Sequence, residues 1–218
     1  MHTGAIYSAT DLFKIAKTAY ERTDDGSPER KGDKQDAIVA IVFSAFSLEA
    51  FINELMDLAD NPILSDTPTV QSFASLIKEV EKSQGSIKLK YMLTKVVFTD
   101  EPFSEGELPY QDFTKLLELR NMLVHYKSKD KFKLDWDGKV KSHSYPKIIS
   151  KLQSRNILAQ VGDNEIKRWT SLISTRATAR WACSTACEMV QLVLDIMPDG
   201  KLKGIMKPFY AKSFQLIP

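Results

Sequence analysis

The chain has 218 residues, of which 43% are hydrophobic and 27% charged, with a formal net charge of +2. That is ordinary for a soluble globular domain with a sizeable core, and too little charge to declare a nucleic-acid protein on its own. No run reaches the ~18 consecutive apolar residues of a membrane span, and the start from Met1 to Tyr20 lacks the basic-then-apolar order of a secretory signal, so a cytoplasmic chain without a membrane role is expected.

Residues 10 to 21 place Leu12, Phe13, Ile15, Ala16 and Ala19 roughly on one helical face. Turn chemistry follows at Thr23-Asp24-Asp25-Gly26-Ser27-Pro28, and the polar run continues to Asp36, which predicts a mobile loop. Residues 36 to 60 are the most apolar segment, from Ile38 through Leu58. A helix apolar around most of its circumference belongs at the centre of a bundle or against a partner chain. Asn61-Pro62 stops it. Thr69 is the expected cap of a helix over 70–83. Gly85 ends that helix, and Ser86 opens another over 87–98. Residues 99 to 109 read as a loop, and a helix over 109–127 follows.

The pattern then changes. Phe132-Lys133-Leu134 and Lys139-Val140-Lys141 flank Asp135-Trp136-Asp137-Gly138, which predicts a small β-hairpin with its lysines along one side and Trp136 at its tip. A short helix is expected near 146–154, and a long one over 163–197, opened near Asp163 and stopped by Pro198. Residues 199 to 218 are basic and aromatic without clear periodicity. There is no internal repeat.

The fold class is therefore all-α: an antiparallel four- to five-helix bundle with a β-hairpin insertion at about 131–143. The division is an N-terminal helix and loop (1–35), the bundle (36–198) and a tail (199–218). Cys183 and Cys187, four apart, share one helical face, which fits reduced thiols in a reducing compartment. No second Cys or His pair stands at ligand spacing, so neither a metal nor another cofactor is expected.

Charge is unevenly spread. Lys127 to Lys151 holds eight lysines against three aspartates, a local +5. That is how a site for an anionic polymer looks, and also how a solvated basic loop looks. Just before it, on the helix over 109–127, Arg120 falls in the middle of an arc formed by Phe113, Leu116, Leu117, Leu123 and Val124, at about 100° per residue. Asn121 and His125 lie on its border. An arginine cannot shed its charge, so it must meet a carboxylate or line a pocket open to anions. Glu49, in an arc with Ile38, Val42, Ala45, Ile52 and Met56, is the expected partner inside the bundle. On that reading alone, a buried ion pair fixing helix register is sufficient.

Arg120-Asn-Met-Leu-Val-His125 matches an R-x4-6-H motif with Asn directly after the Arg, and in this it resembles HEPN domains. Leu119 to Tyr126 looks like the late-bundle helix of that superfamily, and Ser44-Ala-Phe-Ser-Leu-Glu-Ala-Phe-Ile-Asn53 resembles an early helix in which a buried acid recurs. The resemblance covers residues 36 to 127, with the helix over 163–197 as the closing one. It implies a helical bundle that dimerises with both motif helices in one composite cleft, and a metal-independent endoribonuclease acting on single-stranded RNA. His125 would handle protons, Arg120 would hold the scissile phosphate, and Asn121, at i, i+4, would orient the imidazole or bond phosphate. Glu49 and Tyr126 would support them. Lys127, Lys129, Lys131 and Lys133 would add RNA affinity without sequence preference. Trp136 and Tyr145 could stack on bases or pack locally. Of the other histidines, His2 is terminal and His143 reads as a surface residue. An antitoxin or defence-system partner is a further expectation. The rival readings are a non-catalytic HEPN bundle serving as an interaction or nucleotide-binding module, and a plain helical adaptor. No phosphate-cradling glycine loop, H-E-x-x-H or nucleophile elbow occurs.

Overall fold

The computed structural model describes residues 8–23, 33–104, 106–125, 131–134, 140–160 and 167–215. Their architecture is all-α in character. The helices are α1 (Ala9–Arg22), α2 (Asp33–Ala59), α3 (Pro68–Lys82), α4 (Ile87–Thr99), α5 (Tyr110–Val124), α6 (Lys147–Ser154), α7 (Trp169–Ile173), α8 (Arg176–Ile196) and α9 (Lys201–Ser213). Two strands, β1 (Lys131–Leu134) and β2 (Val140–Ser144), pair antiparallel, with Phe132 opposite His143 and a register irregularity between Lys133 and Leu134. The Asp-Gly turn expected at 135–138 and the loop expected after Thr23 lie, for residues 135–138 and 24–32, outside the described residues.

The apolar segment forms α2, which is the hub. It packs against α1, α3, α4, α5, α7 and α8. Its Ile41, Leu48, Phe51, Ile52 and Leu55 are fully buried, each contributing roughly 1.5–3 kcal/mol. By length and mean hydropathy, residues Gln35–Ala59 are long and apolar enough to cross a membrane, although no single uninterrupted apolar run reaches that length. Half of this stretch is buried against the other helices. A second stripe, Val39, Phe43 and Ala50, is only partly covered.

Glu54 of α2 ties three helices together. Its carboxylate accepts from the backbone N–H groups of Ser8 and Ala9 at the start of α1 and from the Tyr210 hydroxyl of α9. A side chain from α2, rather than the local Ser8, thus satisfies two of the orphan donors of α1. At the other end of α1, Arg176 donates to the Thr23 carbonyl at 2.6 Å, and its guanidinium lies 4.6 Å from the Tyr20 ring centre.

The helix boundaries differ from the sequence reading in four places. Thr67, not Thr69, caps α3, accepting from Val70 N at 3.2 Å with Pro68 in the first turn; proline is favoured at that position because its missing N–H would have no partner there anyway. Beyond α3 the left-handed residue is Gln84 (φ 55). Gly85 is needed for close approach, since a Cβ there would lie 2.3 Å from Val80 Cγ1. The long helix expected over 163–197 is broken: α7 ends at Ile173, and Thr175 caps α8 by accepting from Thr178 N. Finally, the tail read as aperiodic forms α9. Leu202, Met206 and Tyr210, four residues apart, are buried on one face, and their burial offsets the ~3 kcal/mol cost of Pro208 inside the helix. Ser86, as expected, caps α4.

Tyr91 of α4 sets the position of α5. Its hydroxyl donates to the Leu48 carbonyl of α2 at 3.0 Å. Its ring lies 4.6 Å from that of Phe113. Full burial raises the Tyr91 pKa well above the ordinary tyrosine value. Phe113, Leu116, Leu117 and Leu119 complete the buried side of α5. A second link was not anticipated: Asp112, buried on α5, pairs with Arg155 just beyond α6.

Candidate active site

The last turn of α5 carries Arg120 and Asn121, and His125 is its C-cap. The apolar arc of α5 is packed at Phe113, Leu116 and Leu117, but Leu123 is only partly buried and Val124 is 48% exposed. The helix thus emerges from the core within its final turn. Arg120 sits at that transition, its side chain 20% exposed.

Three side chains surround the guanidinium. Nη2 donates to Glu49 Oε2 of α2. Nη1 donates to Asn121 Oδ1 at 2.9 Å. The guanidinium carbon lies 4.8 Å from the Phe46 ring centre, a cation–π geometry. Nε is sealed from solvent without a hydrogen-bond partner, a desolvation cost of about 1–3 kcal/mol that the Phe46 contact partly offsets.

The Glu49–Arg120 ion pair is formed, but not in the interior. The Glu49 side chain is 44% exposed. The reason lies in the phase of α2: the fully buried positions are Ala45, Leu48 and Ile52, whereas Glu49 falls in the half-exposed row with Phe46 and Asn53. The pair is a rim contact, where solvent screening keeps its net worth small.

Asn121 does not orient the imidazole. Its carboxamide oxygen is taken by Arg120, and its link to His125 is the backbone bond from His125 N to the Asn121 carbonyl at 2.9 Å. His125 is exposed, and its imidazole has no hydrogen-bond partner among the described residues. Four residues lie between it and Arg120, a step of five positions or about 7.5 Å of helix rise.

Tyr126, Lys127, Lys129 and Trp136 lie outside the described residues, as do the side chains of Lys131, Lys133 and His143. Tyr145 is partly buried against the core, which accords with packing rather than base stacking. Lys151, from the basic segment, reaches α5 and pairs with Glu118 at 3.1 Å. Beside them, desolvation and then the Lys151 charge lower the pKa of Lys115.

Phe46 is the site residue that the sequence reading missed. Its spacing carried the signal, because it lies one turn before Glu49 on the same row of α2, within reach of anything Glu49 binds. Cys183 and Cys187 are free and buried; desolvation pushes their pKa values up to about 11 and about 12, so they stay thiols near neutral pH. Among the described residues, no group of three or more His, Cys, Asp or Glu is placed to hold a metal ion.

No family model, no curated protein and no solved structure matches the chain.

Proposed function

We propose that the chain is a HEPN-type, metal-independent endoribonuclease that cleaves single-stranded RNA, and that it acts in the cytoplasm as the toxin or effector of a bacterial defence or stress system. On this reading α2 to α5 and α8 are the five-helix antiparallel bundle and the paired strands are its hairpin insertion. Two copies meet across a two-fold axis to make one cleft. The observation that carries it is the pairing, at the end of one helix, of an arginine held at the rim of the core with an exposed histidine.

The chemistry follows from those groups. The imidazole of one His125 takes the proton of the ribose 2′-OH. The freed oxygen attacks phosphorus, the bond to the 5′-oxygen breaks, and that oxygen leaves with the proton returned by the imidazolium. The products are a 2′,3′-cyclic phosphate and a 5′-hydroxyl. Arg120 offsets charge building on the phosphoryl oxygens, where a guanidinium fork binds well. Asn121 adds its amide N–H donors. Histidine suits proton transfer because its ordinary pKa, about 6.5, lies near working pH. Lys127, Lys129, Lys131 and Lys133 supply affinity through phosphate contacts.

One observation favours a second reading. Both ends of the Arg120 guanidinium are already hydrogen-bonded within the chain, which is what a non-catalytic interaction or nucleotide-binding module needs. Labelled RNA incubated in EDTA with the wild-type protein, Arg120→Ala and His125→Ala separates the two. Cleavage that survives chelation and is lost in both variants supports the nuclease. No cleavage by the folded wild type, with Arg120→Ala destabilised, supports the module.

A further inference from the structure

Away from the motif, α8 and the end of α9 border an open cleft of about 580 Å³, within the roughly 300–1,000 Å³ range of small-molecule sites. Leu192 and Ile196 of α8 form one apolar wall, and Ala211 with Phe214 forms the other. Cys187 and Gln215 also line it, the thiol donating to the Gln215 carbonyl at 3.0 Å. Phe214 is fixed in place by stacking on Phe13 of α1, ring centres 4.4 Å apart.

Two carboxylates face this space, and they differ. Asp195 is satisfied: Lys207 and Gln191 both donate to it at 2.9 Å. Glu188 has no hydrogen bond or ion pair among the described residues, and no Lys or Arg lines the cleft. Partial desolvation raises the Glu188 pKa; the carboxylate reaches solvent but has no counter-ion among the described residues. We propose that this cleft binds a small organic cation with an apolar body, the ammonium meeting Glu188 and the hydrocarbon lying between Leu192, Ile196 and Phe214. A neutral ligand would leave the carboxylate without its counter-charge, and an anion would be repelled by Glu188, whose charge, unlike that of Asp195, no lysine offsets.

The test uses the full chain and three isosteric probes, 4-phenylbutylammonium, 4-phenylbutanol and 4-phenylbutyrate, titrated by calorimetry. The expected result is saturable binding of the ammonium, at least about tenfold weaker binding of the alcohol and none of the carboxylate. Glu188→Gln should weaken the ammonium by about tenfold or more, and Leu192→Trp, which fills the cleft, should abolish it, with melting curves confirming that both variants fold. Equal binding of ammonium and alcohol, an unchanged affinity in Glu188→Gln, or no saturable binding of any probe would overturn the proposal. So would binding seen only in a chain ending at Gln215, because residues 216–218 would then be the occupant.

Discussion

Glu49 and Arg120, 71 residues apart in sequence, close an ion pair between α2 and α5 at the edge of the core. The guanidinium therefore already has an anion in hand, and an incoming phosphate must compete with the Glu49 carboxylate for the same N–H groups. Glu49→Gln is expected to cost little stability, less than about 1 kcal/mol, because the acid is partly solvated at the rim, and to tighten RNA binding several-fold. Denaturant titration and a filter-binding assay with the cleavage-deficient His125→Ala background check both halves. Weaker RNA binding in Glu49→Gln would mean that the acid supports the arginine rather than rivalling the substrate.

The Phe46 ring lies against that guanidinium, its centre 4.8 Å from the guanidinium carbon. Phe46→Leu is expected to remove a contact of about 0.5–1 kcal/mol and to lower the cleavage rate constant by a few-fold more than it changes KM. Phe46→Trp, which keeps a π-face, should retain activity. Equal losses in both variants would mark Phe46 as packing alone.

Phe43 belongs to the partly covered stripe of α2, and Phe46, its ring centre 5.8 Å away, borders it. Under the proposed two-fold assembly this stripe is sheltered by the second copy. Sedimentation at micromolar concentration is expected to give a dimer, and Phe43→Glu to give a helical, inactive monomer. A wild-type chain that stays monomeric while cleaving RNA would remove the composite cleft from the account.

The buried thiols give a pH signature. Cys183 and Cys187 titrate near 11 and 12 in the folded chain, against 9.0 ordinarily. Because the folded values are raised, their stabilising effect is complete below about pH 9 and is lost as pH climbs towards the folded values. Each thiol should steepen the alkaline decline of stability by about 1.4 kcal/mol per pH unit in that window. Comparing urea midpoints of the wild type and Cys183→Ala/Cys187→Ala between pH 8 and 10.5 isolates the contribution. Parallel profiles would contradict it.

The elements with strong apolar periodicity were legible from residues alone: α1, α2, α4 and α5 lie within a few residues of their expected bounds. So was the need for an anion beside Arg120, since a permanent charge among leucines has few solutions. What local pattern does not carry is the phase of one helix against another. The wheel put Glu49 in an apolar arc, yet tertiary packing centred the buried side of α2 on Ile41, Leu48 and Leu55, so that of the arc only Ala45 and Ile52 are buried, and Ile38, Val42, Met56 and Glu49 lie at its edge. Pro208 hid α9, although Leu202, Met206 and Tyr210 recur every fourth residue. Phe46 went unnoticed because an aromatic on an apolar helix reads as core until a cation is found above it.

The most direct measurement is the chemistry of the cut ends. RNA and its 2′-O-methyl counterpart are incubated in EDTA with the wild type and with His125→Ala, and the fragments are resolved by mass. The account predicts 2′,3′-cyclic phosphate ends from wild type on RNA alone, with none from the methylated strand and none from His125→Ala. Cleavage of the methylated strand, or equal cleavage by His125→Ala, would contradict it.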